Sequence, residues 1–265
     1  MRAAGPRTHR SPSLSAILPA YNEEAVIVDT IRRTHAALAT LGPPTSEVIV
    51  VDDGSTDSTR ERCEKVAAEL HGVRVVSHPV NRGYGAALRT GFETATGDAI
   101  FLMDSDGQFD PADLRLLLEH WSPTAVVCGC RAERRDPLIR RLNNRAFFRL
   151  VVLAFGPTAR DVNCGFKLFP RALGQGLSSD GALVSTELLV RARAQGLRII
   201  DVPVPHYPRL TGKPTGARPG VVLRAFAELW RLRRQLRQAQ PSPRQPGAGR
   251  ETAATPTAAH PSRTS

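Results

Sequence analysis

The chain alternates between short apolar runs and longer stretches in which apolar residues recur every three or four positions. The runs fall at residues 14–18, 47–51, 73–76, 99–103 and 125–128. Each is too short for a helix and of the right length for a strand. The run EVIVV at 47–51 is almost wholly apolar, as expected of a parallel strand covered on both faces. After the first run, Ile27, Ile31, Leu38 and Leu41 keep helical spacing until Gly42-Pro43-Pro44 stops it. Asn22 stands where a helix N-cap belongs, with Glu23 and Glu24 in the first turn. The segment DDGSTDST, residues 52–59, is rich in cap residues and opens a helix reaching about Leu70. A Gly-rich loop and a small-residue helix fill 81–97, and Asp110-Pro111 starts the next helix with Pro at its first position. This alternation predicts an α/β fold: a doubly wound, mostly parallel sheet flanked by helices.

The stretch AIFLMDSDGQFD, residues 99–110, carries the most chemistry. Behind its strand, Asp104, Asp106 and Gln108 occupy alternate positions, which in an extended segment point the same way. Two carboxylates and an amide oxygen form a hard-oxygen set suited to Mg²⁺ or Mn²⁺, with water or substrate phosphates completing it. An EF-hand loop would need Gly and an acid where Phe109 and Arg115 stand, so that reading fails. In doubly wound sheets ligands bind beyond the carboxyl ends of strands. The PAYNEE, DDGS and DSDGQ turns lie at such ends, so one crevice is expected to collect Tyr21, Glu23, Asp53, Asp104, Asp106 and Gln108. A nicotinamide fingerprint is not met: Gly83-Tyr84-Gly85 is followed by Leu88 at the third glycine position, and the first strand leads into a turn without glycine. A crevice with so many carboxylates repels a bare diphosphate, which favours a metal–diphosphate ligand over a dinucleotide.

With 265 residues, 41% of them hydrophobic, the chain suffices for one large α/β domain or two small ones. The net charge of +11 is concentrated: residues 131–149 carry a surplus of five and residues 206–240 a surplus of seven, almost all of it Arg. Such charge suits nucleic acid, a membrane surface or phosphate ligands. The interleaved aromatics of a base-stacking platform are missing, so nucleic acid is not the expected partner. Residues 138–155 read as one helix, with Arg141, Arg145 and Arg149 at spacing four, and residues 222–236 carry a second apolar stripe facing Arg. Both patterns fit helices lying at a bilayer interface, and also helices packed on the core with a wet Arg face. The longest apolar stretch, 150–156, is far short of the ~20 residues a membrane span needs, and no apolar segment follows the basic start as in a secretory signal. Cys63, Cys128, Cys130 and Cys164 lack zinc-site spacing and read as thiols of a reducing cytoplasm. Residues 1–12 and the Pro/Ser/Ala/Thr-rich 241–265 read as a disordered arm and tail.

A strand followed by PAYNEE, then VVDDGSTD, NRGYG and MDSDGQ, in this order, resembles the family 2 glycosyltransferases of GT-A fold. The resemblance is greatest to the dolichol- or polyprenyl-phosphate sugar transferases. It covers residues 14–131 and continues more loosely through DVNCGFKLF (161–169) and IIDVPV (199–204). It implies a GT-A domain over 13–205, an acceptor-side loop and amphipathic helix over 206–240, and peripheral attachment to the cytoplasmic face of a membrane. Pro19, Tyr21 and Glu23 match positions that contact the nucleotide, and Asp53 matches one that holds base or ribose. Asp104, Ser105, Asp106 and Gln108 match the diphosphate–metal turn. Arg131 and Arg140 resemble basic residues near an acceptor phosphate, and Arg209 one in a flexible C-terminal loop. Gly107 and Cys164 depart from the usual Leu and Ser.

After the GFKLF segment, Glu187 is the one candidate for a general base. A sugar hydroxyl needs a base as it attacks, whereas a phosphate monoester is already largely dianionic at neutral pH and needs cationic guidance, for which Arg is suited. The resemblance, together with these residues, therefore implies a metal-dependent, inverting transfer of a hexose from a GDP- or UDP-sugar to a polyprenyl phosphate. A soluble sugar or polysaccharide acceptor, and a non-catalytic nucleotide-sugar-binding protein, are the alternatives.

Overall fold

The computed structural model describes residues 12–131, 149, 152, 153, 155, 156, 158–179, 181, 183–208 and 234. Its strands are β1 (Leu14–Ala20), β2 (Glu47–Asp52), β3 (Val73–Ser77), β4 (Ala99–Met103), β5 (Ala125–Arg131), β6 (Phe166–Pro170) and β7 (Arg198–Val204). Helices α1 (Ile27–Leu41), α2 (Thr59–Glu69) and α3 (Tyr84–Thr94) alternate with the first strands. A single 3₁₀ turn (Pro111–Asp113), α4 (Leu114–Leu118), α5 (Arg171–Gly174) and α6 (Val184–Ala194) follow. The strands form one sheet in the order β3-β2-β1-β4-β6-β5-β7. β6 runs antiparallel to both of its neighbours, and the other pairings are parallel.

Alternate strand residues feed two separate cores, one on each side of the sheet. Leu14, Ala16 and Leu18 of β1, Val48 and Val50 of β2, and Phe101 and Met103 of β4 pack with Ile27, Ile31 and Leu38 of α1 and Cys63 and Val66 of α2. Ile17, Ile49, Val51, Ile100 and Leu102 face the other way, onto Ala87, Leu88 and Phe92 of α3 and Leu188, Leu189 and Ala192 of α6. Burial on both faces explains the continuous apolar runs. It also fixes direction at the strand ends. Asp53, one past Asp52, continues the side of Val51, and Asp104 continues that of Leu102, so both lie on the α3 side.

One local expectation changes. Asn22 does not cap α1, which begins five residues later at Ile27. Asn22 sits instead at φ 56, and its Oδ1 accepts the Thr56 N–H at 2.8 Å while its own N–H donates to Ser55 Oγ at 3.0 Å. Glu23 N–H donates to Thr59 Oγ1 at 2.8 Å, and Ser58 N–H to Glu24 at 3.2 Å. The PAYNEE polar residues thus join the β1–α1 turn to the β2–α2 turn, and tertiary bonding wins over capping. Asp110 does behave as read, accepting the Ala112 N–H at 3.0 Å ahead of Pro111. Of the helix read over residues 138–155, Arg149, Val152, Leu153 and Phe155 are helical and the remainder lies outside the described residues. The helix read at 222–236 (Arg234 apart), the 1–11 part of the N-terminal arm and the tail likewise lie outside them. Among the described residues no helix is long and apolar enough to cross a membrane.

Candidate active site

The acidic turn leaves the end of β4 and bends at once. Alternation along an extended strand is therefore not what brings its acids together. The backbone turns through Gly107 at φ 74, a conformation that costs glycine little and other residues more, and Asp106 Oδ1 accepts the Gln108 N–H at 3.1 Å. The result still puts Asp104 and Asp106 within each other's field. Burial, and then the Asp106 charge, push the Asp104 carboxyl up to about 6, while the Tyr84 hydroxyl, Lys167 and Arg131 oppose the rise. On the α1 side, Thr30 Oγ1 reaches the Ser105 carbonyl at 3.5 Å, and Arg33 pairs with Asp110 at 2.8 Å, so α1 supports the turn.

Gln108 is doubly latched to the segment after β7. The Tyr207 N–H donates to the Gln108 carbonyl at 2.9 Å, and Gln108 Nε2 donates to the Tyr207 carbonyl at 3.1 Å. That uses the amide nitrogen and leaves the amide oxygen as the side chain's acceptor. His206 packs on Phe109, with ring centroids 5.1 Å apart.

The residues present fit a divalent cation. Two carboxylates and one amide oxygen form a hard donor set of the size Mg²⁺ takes from protein when phosphates supply the rest. Between the acids, Ser105 Oγ is buried with no hydrogen-bond partner among the described residues, which marks a polar spot the protein itself leaves unsatisfied. No cluster of three or more His, Cys, Asp or Glu suited to a metal occurs among the described residues, so a cation here needs its ligand's oxygens.

Three residues that the sequence quoted without a role prove central. Tyr84, in the Gly-rich loop, donates its hydroxyl to Asp104 Oδ1 at 2.8 Å. Gly165, in β6's approach, accepts the Asp104 N–H at 3.0 Å through its carbonyl, and a Cβ on it would overlap the Asp104 carboxylate. Lys167 is fully buried on β6 and donates to the Cys164 carbonyl, placing a cation beneath the acids. NRGYG and NCGFKLF were the available signals; contact across the fold was not.

The other predicted residues distribute unevenly. Pro19 lies in β1 opposite Val51, and Tyr21, 42% exposed, follows the end of that strand. Asp53 is only 3% exposed. Both its oxygens are occupied within the protein: Oδ1 meets His78 Nδ1 at 2.7 Å and the Arg82 N–H at 2.9 Å, and Oδ2 accepts the Gly83 N–H at 2.8 Å. Its carboxylate is thus tied to the Gly-rich loop. Arg131 also has a partner within the protein. Its Nε and Nη2 grip Asp161 at 2.7 and 3.0 Å, with Asp161 2% exposed, so the guanidinium is oriented by a buried acid. Arg140 and Arg209 lie outside the described residues. Glu187 is wholly buried and accepts the Ser178 and Ser179 N–H groups at 3.0 and 2.8 Å while pairing with Arg191 at 2.6 Å. Burial pushes the thiols of Cys63, Cys128 and Cys164 up to about 12, which keeps them unreactive.

A pH signature follows from Asp104. Its folded-state value of about 6 lies above the ordinary 3.8, so the native state binds a proton that the unfolded chain releases. In EDTA, the contribution of Asp104 to stability should therefore fall as pH rises from about 4 through about 6. Thermal melts of wild type and Asp104→Asn across that range should differ by this decline, and a constant difference would contradict it.

Comparison with known proteins agrees with this architecture. The Glycosyl transferase family 2 model matches residues 15–174. The chain is 35% identical over 214 residues to glycosyltransferase AglD of Haloferax volcanii, covering 74% of this chain and 33% of that protein. It is 32% identical over 202 residues to undecaprenyl-phosphate 4-deoxy-4-formamido-L-arabinose transferase of Klebsiella pneumoniae, covering 75% and 61%. The chain thus spans from a third to about three fifths of the length of these curated relatives. Among solved structures it is similar to glucosyl-3-phosphoglycerate synthase from Mycobacterium tuberculosis in complex with Mn²⁺, UDP and phosphoglyceric acid, with a TM-score of 0.66, 25% identity and coverage of 84% of this chain and 78% of that one. The chain belongs to glycosyl transferase family 2.

Proposed function

We propose that this protein is an inverting glycosyltransferase that moves a hexose from a GDP- or UDP-sugar to a polyprenyl phosphate, working on the cytoplasmic face of a membrane as a peripheral protein. Asp104, Asp106 and the Gln108 amide oxygen would hold Mg²⁺ or Mn²⁺, which when bound supplies charge neutralisation to the departing diphosphate. Pro19 in β1, with Tyr21 and Glu23 beyond the end of that strand, binds the nucleotide, and Ser105 offers its unsatisfied hydroxyl to the diphosphate. Tyr84 and Gly165 hold Asp104 in place. The acceptor's phosphate oxygen forms a bond to the anomeric carbon as the bond to the diphosphate oxygen breaks, from the opposite side. Arg140 and Arg209 guide the acceptor, and the Arg-rich segments that contain them meet the membrane surface.

The observation that carries the choice of acceptor is the state of Glu187. The one candidate base is buried and committed to two backbone N–H groups and an Arg, so an acceptor that arrives already ionised suits the site. Two kinds of relative support the reading. A similar protein is an undecaprenyl-phosphate sugar transferase, and a similar structure holds Mn²⁺, UDP and a phosphate-bearing acid.

Glu187→Gln tests it. Losing a catalytic base costs about 10²–10⁴-fold, whereas Glu187 as a purely structural acceptor predicts transfer to polyprenyl phosphate within about threefold of wild type at a temperature where the variant is folded, with a lowered melting temperature from the weakened charge-assisted bonds. A loss of hundredfold or more in turnover by folded protein would restore Glu187 as a base and return the soluble-sugar acceptor to first place.

A further inference from the structure

One buried side chain beside the crevice has no part in the mechanism above. His78, the residue after β3, is 6% exposed. Both its ring nitrogens are engaged: Nδ1 lies 2.7 Å from Asp53 Oδ1, and Nε2 lies 2.9 Å from Thr90 Oγ1 on α3. Its backbone N–H donates to the Asp52 carbonyl at 2.9 Å, and the Asp53 N–H to the Ala20 carbonyl at 2.9 Å. The imidazole is therefore anchored to β2 and α3 together. Asp53 in turn holds the N–H groups of Arg82 and Gly83 at 2.9 and 2.8 Å. The next residue, Tyr84, places its hydroxyl 2.8 Å from Asp104.

These contacts form one continuous path, from Thr90 through His78, Asp53 and the loop backbone to Tyr84 and the acidic turn. A carboxylate accepting two backbone N–H groups makes bonds of the strong, charge-assisted class. Its own orientation also depends on the imidazole, which shares Oδ1 with the Arg82 N–H. Without the imidazole, Asp53 Oδ1 would lose a buried partner and the carboxylate could rotate, releasing the two amides that precede α3.

We propose that His78 is a positioning residue for the nucleotide sugar: it orients Asp53 against the Arg82 and Gly83 N–H groups and so fixes the loop that presents Tyr84 to Asp104. The inference rests on reading the crevice as a nucleotide-sugar site, and the test separates the two.

Three variants of the full chain, His78→Ala, His78→Asn and His78→Gln, differ in which ring nitrogen they imitate. Asn places an N–H near the Nδ1 position, and Gln places its amide nearer Nε2. Hydrogen exchange of the 79–85 segment, without ligand, reports the loop directly. Binding of UDP and of GDP in Mn²⁺ reports the donor site. His78→Ala should speed exchange at Arg82 and Gly83 about tenfold or more and weaken the nucleotide that wild type prefers about tenfold. His78→Asn should recover most of both, while His78→Gln should recover little. In a Tyr84→Phe background, His78→Ala should cost less than about threefold further, because the path ends at that hydroxyl. Unchanged exchange in His78→Ala, equal behaviour of Ala and Asn, or fully additive losses with Tyr84→Phe would each overturn the proposal. Wild-type protein that binds neither UDP nor GDP would sink the donor reading, and the exchange measurements would still decide whether His78 fixes the loop.

Discussion

Asp106→Ala is expected to lower sugar transfer about a thousandfold, within the range seen when one preorganised electrostatic group is removed from a transition state. The folded protein should not suffer. Asp106 is 8% exposed and its charge raises the Asp104 carboxyl, so in EDTA the variant should melt at or above the wild-type temperature. Lost activity with retained or improved stability is what a site built from opposed like charges predicts. The paired measurement is turnover in Mn²⁺ and a thermal melt in EDTA on one preparation. A variant that loses stability in step with activity would mean that Asp106 is a structural acid and that the hard-oxygen site lies elsewhere.

Arg131→Ala should have the largest effect on stability. Asp161 is 2% exposed and receives both bonds of the Arg131 fork. Removing one partner of a buried pair typically costs about 3–5 kcal/mol, because the remaining charge keeps its desolvation penalty. That is a large part of the 5–15 kcal/mol by which ordinary domains are stable. Arg131→Lys should recover only part, since an ammonium cannot make the two-pronged contact. Transfer to lipid and slow hydrolysis of the nucleotide sugar should decline together in the Ala variant. A selective loss of lipid transfer at unchanged melting temperature would instead support the acceptor-phosphate role that the family resemblance implies for Arg131.

The sequence made the parallel half of the sheet legible because its central strands β2 and β4 are buried on both faces and read as near-continuous apolar runs. β6 escaped that logic. Lys167 breaks its apolar pattern, and only pairing with Leu102 and Cys128 from distant strands shows that the lysine sits inside the sheet. The acidic turn was legible in composition but not in backbone: an extended segment was read where the chain bends through Gly107. Asn22 was misread because capping is a local rule and its actual partners, Ser55 and Thr56, lie across the crevice. The ion pair of Arg131 had no local signal for the same reason, since its acid stands 30 residues away. His78 gave no signal at all. A histidine after a strand means little until Asp53 and Thr90 are seen on either side of its ring.

The most direct test is transfer of labelled sugar by the purified wild-type protein, from a panel of UDP- and GDP-hexoses, to a short polyprenyl phosphate in Mn²⁺, run beside the phosphate-free prenol, phosphoglyceric acid and free sugars. The account predicts labelled lipid from one donor class with polyprenyl phosphate, none with the prenol, and loss of the product in excess EDTA. Transfer to phosphoglyceric acid or a free sugar with none to polyprenyl phosphate, or full lipid transfer in EDTA, would contradict it.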